Sequence, residues 1–170
     1  MITVLILALS MSSDRLIDDE LARLIKCAYN AESADETSHH ERRAAELLDQ
    51  HPSRVPGFCD RFLVNFRDEW ELSAAMSVSK RTKSRHPAIA EAAMSAIRDE
   101  KLEIVYRDSA CSCLAKHGAT MKLAVIEELL RRLPVKLRMS LSSDLITNLD
   151  RFDTEQRVDC LLYTSDAADE

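Results

Sequence analysis

The sequence predicts an all-α fold, with antiparallel helix pairs stacked into an α–α superhelix of about eight to nine helices. Three observations point there. Glycine and proline are scarce, two and four in 170 residues, whereas an all-β chain needs turn residues every ~8–12 positions. The breakers that exist fall at intervals: Pro52, Pro56 and Gly57 form one cluster, followed by Pro87, Gly118 and Pro134. Between them run segments of roughly 13–20 residues with apolar side chains at helical spacing. Apolar residues make up 46% of the chain, enough for a continuous core.

In chain order, the first helix is expected over about 14–29, with Ile17, Leu21, Leu24 and Ala28 on one face and Ser13 as cap. A polar loop, 30–37, follows. Ser38-His39-His40-Glu41 has the capping-box pattern, in which a serine hydroxyl and a glutamate satisfy amides at a helix start. It predicts a second helix to about Gln50, with Ala44, Leu47 and Leu48 inward. Pro56 opens a third, carrying Phe58, Phe62, Leu63 and Phe66. Trp70, Ala74, Ala75 and Val78 line a fourth over about 69–83. Pro87 suits the first turn of a fifth, where a missing N–H costs nothing, and that helix carries Ile89, Ala93, Ala96 and Ile97. The sixth, about 103–117, carries Tyr106, Ala110, Cys113 and Leu114 and ends at Gly118 as a C-cap. Thr120 caps a seventh with Leu123, Ile126, Leu130 and Leu133. Pro134 opens an eighth with Leu137, Leu141, Leu145 and Leu149, and a ninth is expected from near Asp153.

The helical domain is expected to occupy 11–159. Residues 1–10, an apolar run before Met11, are read as a non-native leader. The run is shorter than the ~20 apolar residues of a spanning helix and lacks the basic start of a signal peptide. No other segment reads as transmembrane. The last residues, Cys-Leu-Leu-Tyr-Thr-Ser-Asp-Ala-Ala-Asp-Glu at 160–170, resemble a translated sequencing adapter. The formal charge is −6; without Asp166, Asp169 and Glu170 it is −3, with 26 acids against 23 bases. Of the other cysteines, Cys27, Cys59, Cys111 and Cys113, none forms a C-x-x-C, and all read as free thiols of a reducing compartment.

The sequence also echoes itself. Tyr106–Gly118 and Leu137–Leu149 share an apolar-Arg pair, then small residues, then a leucine. Arg107 matches Arg138 and Leu114 matches Leu145, at an offset of 31 residues. This resembles the second helix of a HEAT repeat, in which small residues let helices approach and the leucine fills the layer between them. The resemblance implies a structural role for both arginines, bound near the turn. The period is shorter than the usual ~40–47 residues. A tetratricopeptide array, at ~34 residues, would need a Trp, Leu-Gly and Tyr signature that is missing.

A second resemblance spans about 41–133. Arg43-Ala44-Ala45-Glu46-Leu47-Leu48 followed by Pro56-Gly57-Phe58, then Ala74, Ala75 and Lys80, is similar to the N-terminal repeats of importin-β/exportin transport receptors. It departs from them at Gly118-Ala119-Thr120, where the family has Pro-x-x-Trp. The resemblance implies a nuclear transport receptor-like scaffold that binds a Ras-like small GTPase and cargo, in the cytoplasm, the nucleus or both.

Chemical motifs point away from catalysis. Two glycines 61 residues apart cannot form a phosphate loop, and no G-x-S-x-G or H-E-x-x-H occurs. No cofactor, metal site or catalytic residue is expected. Cys113 and His117 are four apart but lack two further ligands, and His51, His86 and His117 are expected at solvent-exposed helix ends. The sharpest charge feature is Lys80-Arg81-Thr82-Lys83-Ser84-Arg85-His86. Lys80, Arg81, Lys83 and Arg85 are candidates for partner or phosphate contact, or simply a solvated helix terminus where cations offset the dipole. Their joint replacement by alanine is expected to leave folding intact. The alternatives to a protein-binding scaffold are a nucleic-acid-binding repeat protein using this run, and a non-catalytic helical segment of a larger enzyme.

Overall fold

A computed structural model describes residues 2–121, 123–148 and 150, with side chains described from Asp14 onward except Thr120 and Leu123. These residues form eight α-helices with short 3-10 and π turns and no strand, so the fold is all-α. They group into two compact units, divided after Lys83.

In the first unit, α1 (Ile2–Asn30) packs on α2 (Ala34–Gln50), and both pack on α4 (Glu69–Arg81). Leu21, Leu24, Ile25 and Ala28 of α1 meet Ala44, Ala45 and Leu48 of α2 in a buried layer closed by Leu72, Ala75, Met76 and Val78 of α4. α1 starts upstream of the expected 14. The start of α2 is also corrected: the cap is Ser33, whose Oγ accepts from the Glu36 N–H at 3.2 Å. Glu36 reaches back to the Glu32 N–H at 3.4 Å. The sequence holds two S-x-x-E strings, 33–36 and 38–41, and the upstream one begins the helix. It places Asp35 and Glu36 in the first turn, where the helix dipole favours acids. Glu41 is thereby released from capping and turned inward.

Arg54, on a 3-10 turn after α2, ties this region to α1 through Asp18, with Asp14 at 3.3 Å. The Asp18 hydrogen bond raises the guanidinium pKa above its ordinary value. The short α3 (Val55–Cys59) passes directly into a π turn, Asp60–Val64, closed by the Asn65 N–H on the Asp60 carbonyl at 2.8 Å. The wider turn still buries Phe58, Phe62 and Leu63. α4 is capped by Asp68, whose Oδ1 accepts from the Glu71 N–H at 2.9 Å.

In the second unit α6 (Ile104–His117) lies between α5 (Pro87–Arg98) and α8 (Val135–Thr147), while α7 (Leu123–Arg132) packs on α8. Pro87 stands at the first turn of α5, and Ile89, Ala93, Ala96 and Ile97 are buried. Ala110, Cys113 and Leu114 of α6 face Leu137, Leu141 and Leu145 of α8 in one core with Ile126, Leu130 and Leu133. Small residues along α5 and α6 let the helices come close, the usual route to tight helix packing. The Ser112 hydroxyl donates to Asp144 at 2.7 Å and pins α6 to α8. Gly118 is the C-cap of α6, as read, but its φ of −64° is ordinary right-handed backbone. Its value is space: a Cβ there would stand 3.2 Å from Ile126 Cδ1. Leu149 and the expected ninth helix near Asp153 lie outside the described residues, as does 160–170.

Candidate functional site

The basic run 80–86 does not form a uniform solvated strip. Arg81, at the C-terminus of α4, donates from Nε to Glu41 Oε2 at 2.9 Å. Glu41 is only 7% exposed. Thr82 is fully buried, and its hydroxyl donates to the Ser79 carbonyl. The Lys83 side chain is exposed, while its N–H donates to Asp49 Oδ2 at 2.7 Å. Lys80 is half-buried. Arg85 is exposed and belongs to the second unit. The run is thus partly the structural end of α4, and the buried partner of Arg81 is Glu41, a helix residue rather than a cap.

Of the repeat positions, Arg107 Nε donates to the Ile97 carbonyl at 2.9 Å, closing the C-terminal end of α5. Arg138 is half-buried on α8, and its N–H bonds to the Pro134 carbonyl. Leu114 and Leu145 are both buried, at 0% and 1% exposure.

The histidines depart from expectation. His86 and His117 are buried rather than solvent-exposed. The start of α5 meets the end of α6, so the His86 N–H donates to His117 Nδ1 at 3.1 Å and the rings stack at 6.2 Å. An acceptor Nδ1 fixes this imidazole with its proton on Nε2. His39 and His40 stand edge to face on α2, with His40 Nε2 3.8 Å from Glu36. Among the described residues, no three of His, Cys, Asp and Glu converge as a metal-ligand set. No helix among them is long and apolar enough to cross a membrane.

Cys59, Cys111 and Cys113 are buried and Cys27 is half-buried. Burial first, then the nearby Asp108 and Asp144, pushes the Cys111 thiol up to about 12. A thiol reagent at pH 8 is therefore expected to label Cys27 in the native chain and Cys111 only on unfolding, read by mass spectrometry of the labelled peptides. The same shift has a sign for stability. A raised folded pKa leaves the contribution intact below the ordinary value of 9.0 and removes it as pH rises toward 12.

The feature that sequence reading missed is a pair of open clefts in the first unit, on either side of Tyr29. The larger, about 430 Å³, lies between α1 and the segment 61–71. Its apolar wall is Ala22, Ile25, Tyr29 and Phe62. Arg61, placed by the π turn, sits 4.8 Å from the Phe62 ring centroid. The smaller, about 230 Å³, has Ala28, Tyr29, Thr37, Glu41, Trp70 and Ala74 among its walls. Tyr29 is 46% and Trp70 65% exposed. Trp70, read with Ala74, Ala75 and Val78 as a line along the fourth helix, is exposed where the other three are buried. It falls in the first turn of α4 and borders the smaller cleft instead of the buried layer.

Comparisons of the chain with protein-family models, curated proteins and solved structures give no significant match. The arrangement places two partly exposed aromatic side chains on helices, with cations and carboxylates at the rim of the clefts.

Proposed function

We propose that the chain is a protein-binding helical scaffold. The observation that carries this is the surface shared by Tyr29 and Trp70. Two large aromatics stay exposed around a common cleft in a unit that has an apolar core available to bury them. Tyrosine and tryptophan dominate the energetic centres of protein interfaces, because each covers a large area with few rotamers to freeze. Both stand on helices, Tyr29 in the last turn of α1 and Trp70 in the first turn of α4.

The more specific form of the proposal is a transport-receptor-like fragment that binds a Ras-like small GTPase and cargo. It is supported by the similarity of Arg43–Leu48 and Pro56-Gly57-Phe58 to that family. Here those residues form a helix with Ala44, Ala45 and Leu48 buried, then a step into α3 with Phe58 buried.

The test is capture of partners by the immobilised chain, wild type beside Tyr29→Ala/Trp70→Ala. The double variant is expected to lose the specific partners at least tenfold while keeping its helical circular dichroism. Equal capture by both proteins would sink the scaffold reading of this surface. Purified Ras-like GTPases loaded with GTP analogue or GDP test the specific form, and binding that ignores the nucleotide would dismiss it.

A further inference from the structure

The chain holds two serines with a glutamate three residues on, Ser33 and Ser38. That spacing makes a capping box. It is also the pattern that acid-directed serine kinases read, a hydroxyl followed by carboxylates. The structure separates the two serines. Ser38 lies inside α2 and is half-buried. Thr37 beside it is half-buried, and its hydroxyl donates to the Ser33 carbonyl at 3.0 Å. Ser33 stands at the end of the short link between α1 and α2, and every residue from Glu32 to Glu36 is exposed. Its backbone is extended, with φ −135° and ψ 153°.

The charge pattern around Ser33 is not repeated in the chain. Glu32 precedes it, and Asp35 and Glu36 follow at two and three residues. No other serine or threonine has two acids among the next three residues. Glu36 is held loosely: it accepts from the Glu32 N–H at 3.4 Å and lies 3.8 Å from His40 Nε2, both long for a hydrogen bond. The first turn of a helix opens at little cost, so hydroxyl and carboxylates are presented together.

We propose that Ser33 is a phosphorylation site for an acid-directed serine/threonine kinase. Ser33 Oγ attacks the γ-phosphorus of Mg-ATP and the Oγ–P bond forms. The bond from that phosphorus to the β–γ bridging oxygen breaks, ADP leaves with the electron pair, and the hydroxyl proton passes to the catalytic base of the kinase. The product adds about −1.5 to −2 charge near neutral pH. That charge sits on the turn between Ala31 and Thr37, both walls of the smaller cleft. Ser33 Oγ now accepts from the Glu36 N–H at 3.2 Å, and a phosphate oxygen can take over that role. The cap is then retained while the rim of the cleft turns more acidic. The assignment does not depend on what the cleft binds.

The test incubates the full chain with Mg-ATP and a purified acid-directed serine/threonine kinase, and maps phosphate by mass spectrometry of the peptides. Phosphate is expected on Ser33. Ser33→Asn keeps a capping side chain and removes the hydroxyl, so it is expected to cut incorporation at least tenfold with unchanged helical circular dichroism. Ser33→Thr is expected to keep incorporation at that position, and Ser38→Ala to leave it unaltered. Asp35→Asn/Glu36→Gln is expected to lower kcat/KM for the chain at least tenfold with the hydroxyl still in place. Undiminished incorporation into Ser33→Asn overturns the proposal. So does phosphate placed chiefly on Ser38 of the native chain, a rate that ignores the loss of the Asp35 and Glu36 charges, or no incorporation into the wild type.

Discussion

Leu114→Ala is expected to destabilise the second unit by about 3–5 kcal/mol, the upper part of the range for a fully buried leucine. Leu114 has no exposed surface and sits on α6, the helix packed between α5 and α8. Its Cδ1 is also 3.7 Å from the position a Gly118 Cβ would take, so the helix end closes tightly over it. A cavity there has walls on several sides that cannot all relax inward, which is why the cost exceeds the transfer energy alone. Leu145→Ala, at the matching position of α8, is expected to cost a comparable amount. Met139→Ala on the same helix, at 64% exposure, is expected to stay within ~0.5 kcal/mol. Urea unfolding followed by far-ultraviolet circular dichroism reads all three, with m about 1–3 kcal/mol/M. A Leu114→Ala midpoint indistinguishable from that of Met139→Ala would remove Leu114 from the core. Unequal losses at Leu114 and Leu145 would remove their equivalence.

The core of the second unit was legible in the sequence because proline, glycine and leucine there act locally. Pro87 and Pro134 fix where helices begin, and a leucine every three or four residues has one way to be buried. The first unit was less legible. Two capping boxes five residues apart compete, and the choice between them changes the role of Glu41 from cap to core. Its phase with Ala44, Ala45 and Leu48 carried the signal: three, four and seven residues apart lie on one helix face. Trp70 is exposed although it follows the line of Ala74 and Val78 along α4. Periodicity reports which side of a helix a residue occupies and not whether a neighbouring element closes over it or leaves a cleft beside it. The same gap hid the clefts, since Lys26, Arg61 and Arg67 meet only through packing. His86 and His117 were misplaced because a helix end is ordinarily solvated, and here two ends cover each other.

The ion pair between Glu41 and Arg81 makes an asymmetric prediction. Arg81→Ala is expected to destabilise the first unit by about 2 kcal/mol, whereas Glu41→Gln is expected to cost about 1. A charge-assisted hydrogen bond contributes ~1.5–3 kcal/mol, and severing a buried pair costs up to ~3–5 when the remaining charge stays buried. Removing Arg81 strands a carboxylate that is 7% exposed. The open cleft that Glu41 borders lets water approach, which holds the loss below that ceiling. Removing the Glu41 charge instead leaves a guanidinium whose side chain is 40% exposed and already partly hydrated. Arg81→Lys should recover only part of the loss, because an ammonium cannot reproduce the Nε geometry. The double variant Arg81→Ala/Glu41→Gln should cost less than the two single losses together, the sign of direct coupling. Equal single losses, or additivity in the double variant, would show that the pair does not hold α2 to α4. The expectation that Lys80, Arg81, Lys83 and Arg85 can all be replaced without effect on folding is therefore revised: the fourfold alanine variant should carry the Arg81 penalty. A nucleic-acid test of the run must keep Arg81 and change Lys80, Lys83 and Arg85. Otherwise, lost binding would report a loosened α2–α4 contact rather than a lost phosphate contact.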